Sequence, residues 1–293
     1  MPTPLLSAAL LAFATCSGEA LQERLPELAR PANGRVGVAV MLAETGDAIA
    51  SLNGQQHFPM QSVYKLPIAM AVLEQVDRGK LSLDQAVRVD KQDFVSPGQY
   101  SPVRDKHPDG VTLPLRELLR LTVSESDGTT SDVVMRLAGG ARAVDAYLRG
   151  LGIDAIKVVD TEQAMGRDSK LQYRNYATPE GAVALLRALQ LGKTLSDSSR
   201  ALLQQLLTTG TRGNKRIAGQ LPAGTIVAHK PGTGGTNRAG LTSATNDIGL
   251  VTLPDGRHLS IAVFVSDARA SDAEREAVIA SIARAAFECQ TRD

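Results

Sequence analysis

"HLSIAVFVSD", residues 258–267, is a run of apolar and β-branched residues about as long as one strand. Immediately before it, "PDG" at 254–256 has the composition of a hairpin turn, and "NDIGLVTLP" at 246–254 is a second apolar run. A third run, "GTIVAHKPGT" at 224–233, precedes both. The last third of the chain therefore predicts neighbouring antiparallel strands.

The N-terminal part of the chain has the same kind of pattern. "RVGVAVMLAE" at 35–44 and "DAIASLN" at 47–53 flank a Thr-Gly turn and predict a hairpin. "GEALQERLPELARP" at 18–31 has its leucines at helical spacing and predicts a helix before that hairpin. Both ends of the chain are therefore expected to contribute strands to one sheet.

The middle and the extreme C-terminus are predicted to be helical. Between 62 and 205 the chain consists of amphipathic patches such as "LPLRELLRLTVSES" (113–126), separated by polar loops. Ser271 and Glu274 have the spacing of a capping box at the start of a final helix. The predicted fold class is α/β, an α+β sandwich in which an antiparallel sheet from both chain ends, with flanking helices, is joined to an all-helical domain.

This pattern divides the chain into two domains. Residues 19–61 and 206–293 form the predicted α/β domain, and residues 62–205 form the predicted helical domain. A chain of 293 residues is long enough for two such units to share a large buried core.

The bulk composition limits the class of partner. Apolar residues make up 43% and charged residues 22% of the chain, which is ordinary for a globular protein. With 32 basic and 31 acidic residues, the net charge of +1 gives no electrostatic signature of binding to nucleic acid or to an anionic membrane. A small molecule is the expected partner.

The first residues have the features of a secretory signal. "LLSAALLAFATC" (5–16) is too short to span a bilayer but has the length of a signal-peptide core, and Ala12 and Ala14 supply an A-x-A cleavage pattern. Residues 1–18 are therefore expected to be a signal peptide that directs the protein to the periplasm, with no stable membrane insertion. The sequence leaves two alternatives open: a short structural N-terminal helix, and lipidation of Cys16 within "FATC".

One lysine interrupts an apolar helical run. In "FPMQSVYKLPIAMAVLEQV" (58–76), Lys65 follows Ser62 by three residues, so that the two side chains share one helix face. An amine within reach of a serine hydroxyl is the arrangement of an activated nucleophile. Ser-x-x-Lys alone is a weak signal, because a lysine that extends from a helix end gives the same pattern.

Three more segments make the pattern specific. "SESDG" at 124–128 offers Ser126, "VVDTEQAMG" at 158–166 offers Glu162, and "AHKPGTGGT" at 228–236 offers Lys230. In this order the motifs resemble those of the class A serine β-lactamases, whose set is S-x-x-K, S-D-N and K-T-G. "FPMQSVYKL" and "ATNDIGL" are most similar to the PER-type extended-spectrum branch of that family.

The resemblance implies a mechanism and a cleft between the two domains. Ser62 would be the acylated nucleophile, with Lys65, or Glu162 through a water, as the base; this choice stays open. Ser126 and Lys230 would deliver a proton to the leaving nitrogen, and Glu162 would activate the water that hydrolyses the acyl-enzyme. The backbone amides of Ser62 and Thr233 would form the oxyanion hole.

The resemblance also implies a set of substrate-binding residues. These are Tyr100, Gly128, Arg216, Gly232, Thr233 and Gly234. Arginine suits a substrate carboxylate because its guanidinium can donate two parallel hydrogen bonds. This chain departs from the family pattern at Gly128, where S-D-N has asparagine, and at Pro231, where K-T-G has a hydroxyl residue. Gly166 stands where many members carry an asparagine that helps to hold the deacylating water, so that water positioning and turnover are in question.

The predicted activity is hydrolysis of penicillins and cephalosporins by a monomer without cofactor. The four histidines, at 57, 107, 229 and 258, form no metal-binding motif, so no metal is expected. Two alternatives use the same serine and lysines: a D-Ala-D-Ala carboxypeptidase or penicillin-binding protein, and a penicilloyl-sensing module that acylates without turnover. Glu162 favours the hydrolase over the peptidase or penicillin-binding protein, and the sensing module is not expected because the sequence shows no transmembrane helix or effector domain.

Overall fold

The computed structural model describes residues 18–210 and 212–291. The predicted signal peptide therefore lies outside the described residues except for Gly18, which begins the first helix. Cys16 lies outside them as well.

Helices and strands alternate in an order that places most strands near the chain ends. The helices are α1 (Gly18–Ala29), α2 (Lys65–Asp77), α3 (Pro102–Lys106), α4 (Leu115–Val123), α5 (Gly128–Leu137), α6 (Ala141–Gly150), α7 (Glu162–Arg167), α8 (Pro179–Gln190), α9 (Asp197–Thr208) and α10 (Asp272–Thr291). The strands are β1 (Arg35–Leu42), β2 (Ala48–Leu52), β3 (Phe58–Pro59), β4 (Ala86–Val89), β5 (Val111–Pro114), β6 (Ile156–Lys157), β7 (Tyr176–Ala177), β8 (Val227–Thr233), β9 (Thr245–Thr252) and β10 (His258–Ser266).

The main sheet is five-stranded and antiparallel, in the order β2-β1-β10-β9-β8. Its two hairpins, β1–β2 and β9–β10, are those that the apolar runs and turn residues predict. The first and last strands of the chain meet at its centre, where Val38 pairs with Val263. The prediction that both chain ends build one antiparallel sheet is confirmed.

Both faces of this sheet are covered, which explains why its strands are apolar at successive positions. In β10, Ile261 and Val263 pack with α1 and α10 on one face, whereas Ala262 and Phe264 pack with α8 on the other. Each large apolar side chain buried in this way contributes about 1.5–3 kcal/mol. The capping box that opens α10 is present, because Glu274 N donates to Ser271 Oγ and Ser271 N donates to Glu274 Oε2.

The segment between the two halves of the sheet is built around α2. Its first nine residues, Lys65 to Leu73, are all buried, and α4, α5, α6 and α9 pack around the helix. A helix that is apolar on all sides belongs in a core, so that its only cation needs partners. The groups that surround the buried ammonium of Lys65 therefore mark a candidate site.

The segment 62–205 differs from the prediction in detail. It contains the short antiparallel pairs β4–β5 and β6–β7, which the sequence pattern does not predict, and β3 joins the second pair. Helix α9 crosses the predicted boundary at 205 and ends at Thr208. No helix among the described residues is long and apolar enough to cross a bilayer.

Candidate active site

A cleft of about 1040 Å³ lies between the start of α2, the loop before α3, α7 and the end of β8. Of the site residues that the sequence predicts, it is lined by Ser62, Lys65, Tyr100, Ser126, Glu162, Arg216, Thr233 and Gly234. The other three, Gly128, Lys230 and Gly232, are buried behind this wall. The structure thus brings together segments that are far apart in sequence.

Lys65 connects three groups of this wall. Its Nζ lies 3.0 Å from Glu162 Oε1, donates to the backbone oxygen of Ser126 at 2.7 Å, and lies 3.5 Å from Ser126 Oγ. The side chain is only 1% exposed, so these contacts replace the water that an ammonium would otherwise need. Ser62, in the 3₁₀ turn directly before Lys65, lines the same cleft.

Lys230 approaches Ser126 from the other side. Its Nζ donates to Ser126 Oγ at 3.1 Å and to the backbone oxygen of Pro231 at 3.2 Å. Burial, and after it the charge of Lys65, hold the pKa of Lys230 well below its ordinary value, and Asp247 offsets this only in part. Ser126 Oγ therefore lies between two amines, and the pKa of one of them is lowered.

Three non-glycine residues of the described cleft lining have a left-handed backbone, and one of them is Asp267, with φ of 51°. Gln61, which precedes the serine of the S-x-x-K motif, has φ of 48°, and Ser126 has φ of 61°. L-residues rarely adopt this region, and such residues concentrate at functional sites. The strain is held by surrounding contacts, among them the bond from Asn246 Nδ2 to Pro59 O at 2.8 Å.

Glycines allow β8 to approach the turn that carries Ser62. A Cβ on Gly232 would collide with the backbone oxygen of Met60 and lie 3.2 Å from Gln61 Cβ. A Cβ on Gly234 would collide with Ser243 Oγ. Glycine at 232 therefore lets β8 pass close to the turn that carries Ser62, and glycine at 234 lets the chain after β8 pass Ser243.

Glu162 is positioned by a carboxylate that the sequence analysis missed. Asp132, on α5, accepts hydrogen bonds from Glu162 N at 2.7 Å and from Gln163 N at 2.9 Å. Thr161 Oγ1 caps the same short helix by accepting from Ala164 N at 3.1 Å. The two acceptors satisfy the first N–H groups of α7 and fix the residue that carries the carboxylate of the cleft.

Asp132 is partly buried beside a second negative charge. Burial, with the charge of Glu162 added, raises the pKa of Asp132 to about 7, although the two backbone N–H groups act in the opposite direction. The pKa of an aspartate in an unfolded chain is about 4. Between about pH 4 and about pH 7, the folded state therefore binds the proton of Asp132 more tightly than the unfolded chain does.

Stability should consequently depend on pH through Asp132. Its contribution to the free energy of unfolding is complete below about pH 4 and is lost as the pH rises to about 7. Asp132→Asn cannot ionise, so that, relative to the parent protein, the variant should be more stable at about pH 8 than at about pH 5. Denaturant unfolding at both pH values measures the difference. The exposed Asp154→Asn should show no such trend, and an equal effect of Asp132→Asn at both pH values would contradict the assignment.

The S-D-G segment holds the loop that carries Tyr100. Asp127, which is fully buried, accepts from Thr130 N and Val103 N, each at 2.8 Å, and Gly128 N donates to Tyr100 O at 3.0 Å. A Cβ on Gly128 would lie 3.2 Å from that oxygen. The glycine therefore allows a tight contact between α5 and the loop, and Tyr100 remains 47% exposed at the cleft edge.

Arg216 is 6% exposed, and most of its donors are directed into the protein. Nη1 donates to Gly232 O at 3.0 Å and to Asn246 O at 2.8 Å, and Nε pairs with Glu276 Oε1 at 3.3 Å. Nη2 donates to Thr233 Oγ1 at 2.8 Å. Because the oxygen of Thr233 accepts this bond, its hydroxyl hydrogen is directed elsewhere.

Arg212 is a cation of the cleft that the sequence analysis also missed. It is exposed, lines the cleft, and has its guanidinium carbon 4.0 Å from the centre of the Tyr100 ring. A guanidinium stacked on an aromatic ring keeps its in-plane N–H groups available. The edge of the cleft therefore carries an oriented cation beside Tyr100.

Comparisons with known proteins agree on one family. Residues 20–290 match the family model described as the beta-lactamase enzyme family. The chain is 39% identical to the extended-spectrum beta-lactamase PER-1 of Pseudomonas aeruginosa, over 93% of this chain and 88% of that protein. It is 36% identical to beta-lactamase VEB-1 of the same organism, over 94% of this chain and 91% of the other.

Solved structures give the same result. The crystal structure of a beta-lactamase from Chitinophaga pinensis has a TM-score of 0.89 and 46% identity, covering 92% of this chain and 99% of that one. TLA-1 extended-spectrum beta-lactamase has a TM-score of 0.90 and 38% identity, with 94% and 99% coverage. Motifs, fold and relatives converge, and the chain belongs to the β-lactamase enzyme family as a class A member.

Proposed function

We propose that this protein hydrolyses the amide bond of β-lactam antibiotics, penicillins and cephalosporins, through an acyl-enzyme on Ser62. The observation that carries the proposal is the position of Lys65, whose Nζ contacts Glu162 and Ser126 at the wall that Ser62 also lines. A nucleophile, two amines and a carboxylate at one cleft are the groups that acyl transfer followed by hydrolysis requires.

Acylation begins with attack of Ser62 Oγ on the lactam carbonyl. Its proton passes to Lys65, or to Glu162 through a water; the 3.0 Å contact between those two groups is compatible with either route. The oxyanion is stabilised by the backbone amides of Ser62 and Thr233. The close approach that Gly232 permits supports this placement.

The C–N bond of the lactam then breaks, and the nitrogen needs a proton. Ser126 donates its hydroxyl proton to the nitrogen and is reprotonated by one of the two flanking lysines. The support for this relay is geometric, since Lys230 Nζ donates to Ser126 Oγ at 3.1 Å and Lys65 Nζ lies 3.5 Å from it.

Deacylation completes the cycle. Glu162 removes a proton from water, the hydroxide forms a bond to the ester carbonyl, and the bond to Ser62 Oγ breaks as the serine regains a proton. The fixed start of α7 on Asp132 supports this role, because a general base must be held in place relative to its water.

We propose that the substrate carboxylate binds to the hydroxyl of Thr233 and to Arg212, with Arg216 as a positioning residue behind them. Most donors of Arg216 are occupied by protein acceptors, whereas the guanidinium of Arg212 is exposed at the cleft. Arg212 thus takes the direct contact that the family pattern assigns to Arg216.

This assignment predicts a substrate-dependent effect of Arg212→Ala. For a chromogenic cephalosporin with a free carboxylate, kcat/KM should fall about 2- to 5-fold, because an exposed ion pair is lost. For the methyl ester of the same compound, kcat/KM should change little. Lys215→Ala, which removes an exposed cation of the same loop away from the cleft wall, is the matched control. An equal loss with acid and ester would contradict the contact.

The remaining proposals concern the oligomeric state, the location and the domain division of the protein. We propose a monomer that is exported to the periplasm by the signal peptide at residues 1–18. We also propose that residues 19–61 with 206–293 form one domain, residues 62–205 the other, and that the cleft lies between them. The distribution of the main sheet and of α2 to α8 along the chain supports this division.

Turnover tests the proposed function. The purified protein is mixed with excess penicillin, excess chromogenic cephalosporin, and in parallel a peptide ending in D-Ala-D-Ala. Many equivalents of hydrolysed lactam per protein, without peptide cleavage, are the expected result. A single equivalent followed by arrest would indicate a sensor, and release of D-alanine would indicate a carboxypeptidase.

A further inference from the structure

The side chain of Gln99, in the loop before α3, reaches across the cleft wall to Glu162. Its Nε2 donates to the backbone oxygen of Glu162 at 2.6 Å and lies 3.4 Å from Glu162 Oε2. Its Oε1 accepts from Ser96 N at 3.2 Å and from Ser96 Oγ at 2.9 Å. The amide is therefore anchored at one end and directed towards the carboxylate at the other.

Gly166 provides the space for this amide. It lies four residues after Glu162 on α7, hence on the same helix face, and both residues line the cleft. A Cβ on Gly166 would collide with Gln99 Oε1, and would lie 2.6 Å from Gln99 Cδ and 2.9 Å from Ser96 Oγ. The backbone conformation of Gly166 does not require glycine, since its φ is not in the left-handed region. Glycine is required because a side chain at 166 would collide with the amide group of Gln99.

The carboxylate of Glu162 is thus approached on both oxygens. Lys65 Nζ lies at Oε1 and Gln99 Nε2 at Oε2, with α7 holding the backbone behind them. A carboxylate paired only with Lys65 could rotate about its last side-chain bond. With the second donor, the plane of the carboxylate is fixed, and so is the direction from which a water can be deprotonated.

We propose that Gln99 is a positioning residue that orients Glu162 for deacylation, and that Gly166 is glycine to leave room for it. This inference rests on the proposed function, and it deepens the role of Glu162 in that function. It predicts that residues 99 and 166 act as one unit, through Glu162.

The test is a double-mutant cycle with acylation and deacylation measured separately by stopped-flow and quenched-flow kinetics. Gln99→Ala should slow deacylation about 10- to 100-fold, the range for loss of a hydrogen bond to a charged group. Acylation should change by less than about threefold where Lys65 is the acylation base, and should slow in parallel where Glu162 is. Gly166→Ala should slow deacylation to a similar extent, because its methyl group displaces the amide. The double variant should be no slower than either single variant.

A rescue variant separates positioning from a general structural effect. Gly166→Asn alone should slow deacylation, because it displaces Gln99. In the Gln99→Ala background the same substitution should speed deacylation, since the new amide occupies the vacated space. Gln99→Met keeps the side-chain volume without the amide and should behave like Gln99→Ala if the fold is intact, which melting temperatures check.

Any of three results would overturn the inference. The first is deacylation within about twofold of the parent in Gln99→Ala, and the second is effects of the single substitutions that multiply in the double variant. The third, independent of turnover, is a crystal structure of Gly166→Ala in which Gln99 still contacts Glu162. Failure of the parent protein to turn over substrate would instead count against the proposed function, and the lifetimes of the covalent adducts would still compare the variants.

Discussion

Glu162→Gln is expected to convert the protein into one that is acylated by a β-lactam and then stays acylated. Glutamine keeps the shape of the side chain and can still accept a hydrogen bond from Lys65 Nζ, which lies 3.0 Å from Oε1 in the parent, but it cannot take a proton from water. Loss of a general base slows deacylation about 10²- to 10⁴-fold. Intact-protein mass spectrometry should show an adduct that accumulates, and peptide mapping should place it on Ser62.

The same variant decides which base serves acylation. An acylation rate close to that of the parent would assign that step to Lys65, whereas a parallel fall in both steps would assign it to Glu162 through a water. Glu27→Gln, an exposed carboxylate on α1, is the matched control and should behave as the parent. Normal turnover by Glu162→Gln without a detectable adduct would remove the deacylation role.

Lys65→Met is expected to have an effect of similar size on the preceding step. The substitution keeps the buried stem but removes the ammonium, and with it the contacts to Glu162 Oε1 and to both oxygens of Ser126. Acylation should slow about 10³-fold, a value within the range for loss of an acid–base group. Single-turnover kinetics measure this rate.

The control for Lys65→Met lies at the other end of the same helix region. Lys80 is exposed just beyond α2, so Lys80→Met removes an equal charge without touching the cleft and should leave acylation unchanged. Acylation of Lys65→Met within about tenfold of the parent rate would show that the ammonium is not needed to activate Ser62.

The architecture of the sheet could be predicted because its signal is local. The apolar runs at 35–44 and 258–267 correspond to β1 and β10, and the capping box at Ser271 opens α10 as its spacing indicates. Pairs such as β6–β7 have only two residues in each strand, too few to show a period. Their formation depends on tertiary packing, so the pattern between 62 and 205 predicted helices alone.

The site was predictable only in part. Ser62 and Lys65 are coupled by helical spacing, but the convergence of Ser126, Glu162 and Lys230 was expected from the family pattern and not from their spacing. Asp132, Gln99 and Arg212 were missed because each acts on a residue remote in sequence, and no local motif marks an Asp, Gln or Arg for that role.

The surroundings of Gly166 and Arg216 could not be predicted from the sequence, because they are formed by segments remote in the chain. Gly166 stands where many family members have an asparagine that helps to hold the deacylating water. In this structure the space beside Gly166 is filled by the side chain of Gln99, which comes from another loop. The family pattern assigns Arg216 to the substrate carboxylate, and carbonyl oxygens of the paired strands β8 and β9 accept two of its hydrogen bonds. Both sets of contacts form only after the sheet and the loops have assembled.

The measurement that addresses the mechanism most directly is time-resolved mass spectrometry of the unaltered protein with excess chromogenic cephalosporin. The account predicts an adduct on the peptide that contains Ser62, which forms within the first turnover, decays as substrate is exhausted, and accompanies many equivalents of product. Product formation that continues undiminished in Ser62→Ala, or an adduct that persists after one equivalent, would contradict it.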